Sequence, residues 1–104
     1  MLRKMREEVV FVKNTATVSK KQFLEDMVLQ HAVCMALVTI GECANHLSQE
    51  FREANSDTPW IQIIAVRNLA AHGYWQLDMR QIWQAIAVDI PELEAFLRKW
   101  LGAK

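Results

Sequence analysis

Apolar residues recur along the chain at helical spacing, and no stretch alternates apolar and polar positions as a half-buried strand would. The first helix is predicted over residues 1–13, with Leu2, Met5, Val9 and Val12 on one stripe. A second opens at Ser19. Ser19 and Gln22 have the spacing of a capping box, and Val18 and Phe23 flank it as a hydrophobic staple. From there the pattern meets no breaker until about Ala54, which predicts one continuous helix of roughly 50 Å. Its middle is apolar on two faces, one carrying Phe23, Met27, Cys34 and Leu37, the other Leu29, Val33, Ala36, Ile40 and Leu47. A helix buried on two sides in so short a chain is expected to pack against a partner chain as well. Gly41 stands inside it, where glycine costs about 1 kcal/mol relative to alanine; close approach of another helix would offset that cost.

Asp57, Thr58 and Pro59 form a capping sequence with proline at the helix start, so a third helix is expected from Pro59 to about His72, ended by Gly73. Asp78 and Gln81, with Leu77 and Ile82 around them, open a fourth that runs through about Ala87. Pro91 opens a fifth, on which Leu93, Phe96, Leu97, Trp100 and Leu101 share a face, with Arg98 and Lys99 in its last turn and Gly102 beyond. The expected fold is all-α: a compact up-and-down bundle of about five helices forming one domain over residues 1–104.

Composition narrows the function. Of the 104 residues, 52% are hydrophobic and 23% charged, which is globular rather than disordered. Twelve basic and twelve acidic residues leave no net charge, so no global field draws in nucleic acid or an anionic membrane. Any RNA must be held by a few aimed cations. The N-terminal residues do not form a secretory signal, and the uncharged run Met27–Gly41 is short for a membrane span. Cys34 and Cys43, nine residues apart on one helix, face opposite ways and cannot pair within the chain. A reduced, cytoplasmic protein with no membrane contact is the expectation.

The unusual chemistry lies in Val66–Trp75, where Arg67, Asn68, His72 and Tyr74 interrupt an apolar helix and its exit. Arginine offers a planar fork of donors suited to phosphate, and histidine can move a proton near neutral pH. Together they are the minimum for cleaving RNA without a metal or cofactor. On an ideal helix Arg67 and His72 are about 140° apart, whereas Asn68 and His72 share a face. Convergence would require distortion near Gly73 or a second copy of the helix across a dimer axis. On spacing alone, the same residues also read as Arg67 in a salt bridge and His72 capping the helix C-terminus.

The pattern Arg-Asn-x-x-x-His-x-Tyr, standing here as Arg67, Asn68, His72 and Tyr74, resembles that of the HEPN family, specifically its HepT-like branch. Flanking features fall in the same order: Phe23-Leu24-Glu25-Asp26, Ile40-Gly41-Glu42-Cys43-Ala44, Pro59-Trp60, Trp83 and Asp89-Ile90-Pro91-Glu92-Leu93. The resemblance covers about residues 1–101. It implies a helical homodimer acting as the ribonuclease toxin of a toxin–antitoxin pair, with an MNT-type nucleotidyltransferase as antitoxin. The motif arginine and histidine would meet in a cleft at the dimer interface. Carried over, Arg67 would stabilise the phosphate and His72 serve as acid or base. Asn68 would orient His72 or the RNA, and Tyr74 would accept AMP from the antitoxin. AMP there would set bulk and negative charge where RNA phosphate must sit. The chain departs from the pattern at Gly73, Trp75, Met35 and Ala36, which bears on RNA affinity and antitoxin recognition.

Other features carry less. Glu42, in the Gly-Glu element, is a secondary candidate to line the cleft, its alternative being an ion pair with His46 one turn on. Trp75 is the tryptophan placed to stack on a base, while Trp60, Trp83 and Trp100 fit packing positions. The histidines and cysteines lack the spacing of a metal site, and Lys20 and Lys21 read as solvated. The alternative to a nuclease is a non-catalytic module that docks a nucleotidyltransferase or binds nucleotide. A purely structural helical protein leaves the polar cluster unexplained.

Overall fold

The structure, a computed structural model, describes residues 1–73 and 77–102, with residues 71–73 described by their backbone alone. The described residues form helices and contain no strand. In order they are α1 (Leu2–Thr15), α2 (Lys20–Glu25), α3 (Met27–His46), α4 (Gln49–Ala54), α5 (Trp60–Gly73), α6 (Met79–Gln84) and α7 (Ile90–Leu101), with a π-helical segment, Ala85–Asp89, joining the last two. The all-α expectation holds; the element boundaries differ in two places.

The long helix expected from Ser19 to Ala54 is three helices. Its start is as read: Ser19 Oγ accepts from the Gln22 N–H at 3.2 Å, and Gln22 Oε1 accepts from the Ser19 N–H at 3.0 Å. At Asp26 the backbone leaves the helical region, at φ −112° and ψ 97°, and the Asp26 carboxylate caps α3 by accepting from the Leu29 N–H at 3.0 Å. Gln30 Nε2 donates back to the Phe23 carbonyl at 2.9 Å, meeting one of the acceptors exposed at the end of α2. Leu47 makes the second break and Ser48 caps α4, its Oγ accepting from the Phe51 N–H at 3.0 Å. Asp and Ser compete for backbone donors in this way wherever the chain can turn. The apolar period ran through both positions and hid them.

The fourth and fifth expected helices, in contrast, are continuous. Pro91 has no N–H and its ring crowds the carbonyl one turn back, so the ladder cannot pass it unchanged. The chain answers with the π segment rather than a break. Asp78 caps α6 as expected, but through the Arg80 N–H at 2.9 Å, and its carboxylate pairs with the Arg80 guanidinium at 3.2 Å.

Helix α3 is the centre of the core. Leu29, Val33, Cys34, Ala36, Leu37, Ile40, Cys43 and Ala44 are all buried, and the helix packs chiefly against α5 on one side and α1 on the other. The chain's own helices thus cover most of its two apolar stripes. Met27, assigned to one of those stripes, is 69% exposed. α1 contributes Met5, Val9 and Val12, and Lys13 ties it to α7 through Glu94 at 2.5 Å. Phe23 is fully buried and sets its ring 5.4 Å from that of Trp83. Cys34 and Cys43 are buried and not disulfide-bonded, and burial pushes the Cys43 thiol up, keeping it protonated near neutral pH.

At 20 residues, α3 extends beyond the uncharged run and is long and apolar enough to cross a bilayer by length and composition, but half of that window is buried inside the domain. That is the packing of a core helix.

Candidate active site

Arg67 is brought to α3 by the absence of a side chain. A Cβ built on Gly41 would stand 2.5 Å from Arg67 Cβ and 3.0 Å from the Ile63 carbonyl oxygen, so only glycine allows α3 and α5 this separation. The close approach inferred from Gly41 therefore occurs, and the helix that makes it is the one carrying the motif.

Glu42 follows Gly41 and faces the same helix. Its Oε1 accepts a hydrogen bond from Arg67 Nε, forming an ion pair between α3 and α5. The Arg67 Nη1 donates to Asn68 Oδ1 at 3.0 Å. Glu42 thus pairs across the helices rather than with His46 one turn along its own. The side chains of Arg67 and Glu42 are 31% and 43% exposed, so the pair lies at the surface with its guanidinium held on one edge and flank. The remaining N–H groups of the fork have no partner among the described residues and keep the geometry to receive a phosphate.

Three of the sequence-selected residues therefore come together: Arg67, Asn68 and Glu42. The salt-bridge reading of Arg67 is realised in this geometry. It does not use up the donor fork, and it fixes the plane in which that fork sits. His72 lies on the last turn of α5 by its backbone; its side chain, and Tyr74 and Trp75, lie outside the described residues. Of the departures, Met35 is exposed on α3 and Ala36 is buried in the core. Trp60 is buried as a packing residue, whereas Trp100 is half exposed, its ring 5.3 Å from that of Phe51.

Sequence reasoning overlooked Arg52. It lies on α4, in what was read as the tail of one long helix, and only the Ser48 cap could have separated it from that helix. Together with α5 it borders a solvent-open groove of about 800 Å³ that reaches Asn68.

The HepT-like ribonuclease model matches residues 5–100. A provisionally named RNase of Caldanaerobacter subterraneus subsp. tengcongensis is 34% identical over 97 residues, covering 93% of this chain and 87% of that protein. The "Probable ribonuclease HepT" of Thermococcus cleftensis is 31% identical, covering 82% of this chain and 77% of its own length. A provisionally named RNase of Methanocaldococcus jannaschii is 28% identical over 77% of this chain and 73% of its own length. No solved structure matches the chain at a significant level. A family model that spans the whole helical core, with Arg67, Asn68 and Glu42 assembled where α3 meets α5, places the chain in the HepT-like ribonuclease family.

Proposed function

We propose that the chain is a metal-independent endoribonuclease, the cytoplasmic toxin of a HEPN/MNT-type toxin–antitoxin pair, formed by one domain over residues 1–104. The observation that carries this reading is the held guanidinium of Arg67, in a chain of a ribonuclease family. In the proposed reaction the ribose 2′-oxygen attacks the adjacent phosphorus and the bond to the 5′-oxygen breaks. His72 takes the 2′-hydroxyl proton or supplies one to the leaving oxygen, and Arg67 stabilises the charge on the five-coordinate phosphate. Glu42 and Asn68 position Arg67, and Trp75 lies next to the motif for a base to stack on. Neither a metal nor a cofactor is needed for these steps.

The active unit in this proposal is a homodimer in which two α5 helices meet, bringing Arg67 of one copy toward His72 of the other. Leu69, beside Asn68, is exposed and gives that face an apolar element. The nucleotidyltransferase antitoxin transfers AMP to the Tyr74 hydroxyl. The linked phosphate then competes with RNA for Arg67.

A docking module that binds the nucleotidyltransferase without cutting RNA is the rival, and the Glu42 carboxylate beside Arg67 favours it by offsetting the cation. Expression in a bacterial host separates the two. Wild-type protein should arrest growth with loss of cellular RNA and His72→Ala should not, while both still copurify with the nucleotidyltransferase. Growth unaffected by the wild type, with the partner bound and Tyr74 unmodified by intact mass, would support the docking module instead.

A further inference from the structure

We propose that the groove between α4 and α5 reads a guanine base of the single-stranded RNA, with Arg52 as the reading donor; this rests on the ribonuclease function proposed above. The groove has about 800 Å³, within the range of small-ligand sites, and is lined by Arg52, Gln49, Glu53, Asp57, Ile61 and Asn68 among others. Its walls are fixed. Trp60 Nε1 donates to the Asn55 carbonyl at 3.0 Å, Asn55 Nδ2 donates to the Phe51 carbonyl at 2.8 Å, and the Trp60 ring meets Phe96 edge-on at 5.1 Å.

Arg52 makes no ion pair or side-chain hydrogen bond among the described residues, and its Nε is buried without a hydrogen-bond partner. An uncompensated guanidinium is costly unless an acceptor completes it. With Nε sealed in, the terminal nitrogens are the part of the side chain left to meet a ligand.

The charge balance decides which ligand. One arginine stands with two carboxylates, Glu53 and Asp57, so the groove as a whole is not cationic and is poorly suited to a phosphate. A mixed set of donors and acceptors suits a base edge. Guanine presents N7 and O6 as paired acceptors for an arginine fork and N–H groups that a carboxylate can accept. Ile61, 82% exposed, supplies an apolar surface for the ring face. The groove also leads to the chemistry: Asn68, which lines it, accepts from Arg67, and Ile61 to Asn68 spans about 10 Å of α5. A base in the groove would therefore neighbour the phosphate at Arg67.

The test uses full-length protein carrying His72→Ala, so that RNA is bound and not cut. Fluorescence anisotropy would compare short single-stranded oligoribonucleotides that differ only in one guanosine replaced by adenosine or cytidine. The guanosine oligonucleotide should bind roughly tenfold tighter, and Arg52→Ala or Arg52→Lys should erase the difference. A lysine variant that retains the full preference, or equal binding of all three oligonucleotides, would overturn the proposal. The lysine variant also covers the case in which Arg52→Ala fails to fold. Cleavage by native protein without guanosine preference refutes the groove and spares the nuclease. Guanosine-selective binding with no cleavage by native protein refutes the nuclease and spares the groove.

Discussion

Gly41 decides how closely α3 and α5 can approach, and Arg67 stands at the point of contact. Gly41→Ala would set a methyl group 2.5 Å from Arg67 Cβ, and because Cβ cannot rotate away the helices themselves must part. Overpacking of this kind costs about 1–3 kcal/mol. Gly41→Ala should lower the melting temperature and, by displacing Arg67 from Glu42, lower RNA cleavage beyond what its loss of folded protein explains. Thermal melts paired with cleavage rates corrected for folded fraction measure both. A variant with native stability and native rate would show that the close approach does not hold the site. Glu42 acts on charge as well as position. An exposed pair contributes about 1 kcal/mol or less to stability, so its value lies in fixing the guanidinium plane.

Among the elements, the breaks teach the most. The Ser19–Gln22 box was legible because both partners of the reciprocal bond are local. Asp26 and Ser48 were not, because capping residues inside an unbroken apolar period look like ordinary polar positions until the backbone turns. Pro91 marks the start of the last α-helix, as its fixed φ and missing N–H predict, but the π segment before it joins that helix to α6 where the sequence predicts a gap. Asp89 closes that segment, and partial burial, with Glu92 nearby, pushes its carboxyl above the usual range. The folded chain then holds the Asp89 proton to higher pH than the unfolded chain does. Stability from this group falls as pH rises through the folded value and stays lower above it. Asp89→Asn should therefore melt higher than wild type at pH 7, with the gap closing below about pH 4. A gap that widens on acidification would reverse the assignment.

For the whole molecule, the helical class and the close approach at Gly41 could be read from sequence. Which residue would answer Arg67 could not, because that depends on how α3 and α5 are rotated against each other. Helical spacing offered Glu42 a partner in His46, and tertiary packing gave it Arg67 instead. The groove beside Arg52 was equally hidden, since it exists only when α4 separates from α3. The dimer required by the proposed cleft is a property of this scale. Leu69→Glu, on the outer face of α5, should shift sedimentation from dimer toward monomer and reduce cleavage in step, with the melting temperature of the monomer nearly unchanged. A wild-type chain that sediments as a monomer at micromolar concentration would remove the shared cleft.

The central claim is that this chain cuts RNA with Arg67 and His72 and without a metal. Its most direct test is cleavage of RNA by purified protein in excess EDTA, wild type beside His72→Ala and Arg67→Ala. Cleavage by the wild type, with both variants reduced by at least about a hundredfold, is the predicted result. Equal cleavage by all three, or none by wild-type protein whose Tyr74 is shown by mass to be unmodified, would contradict it.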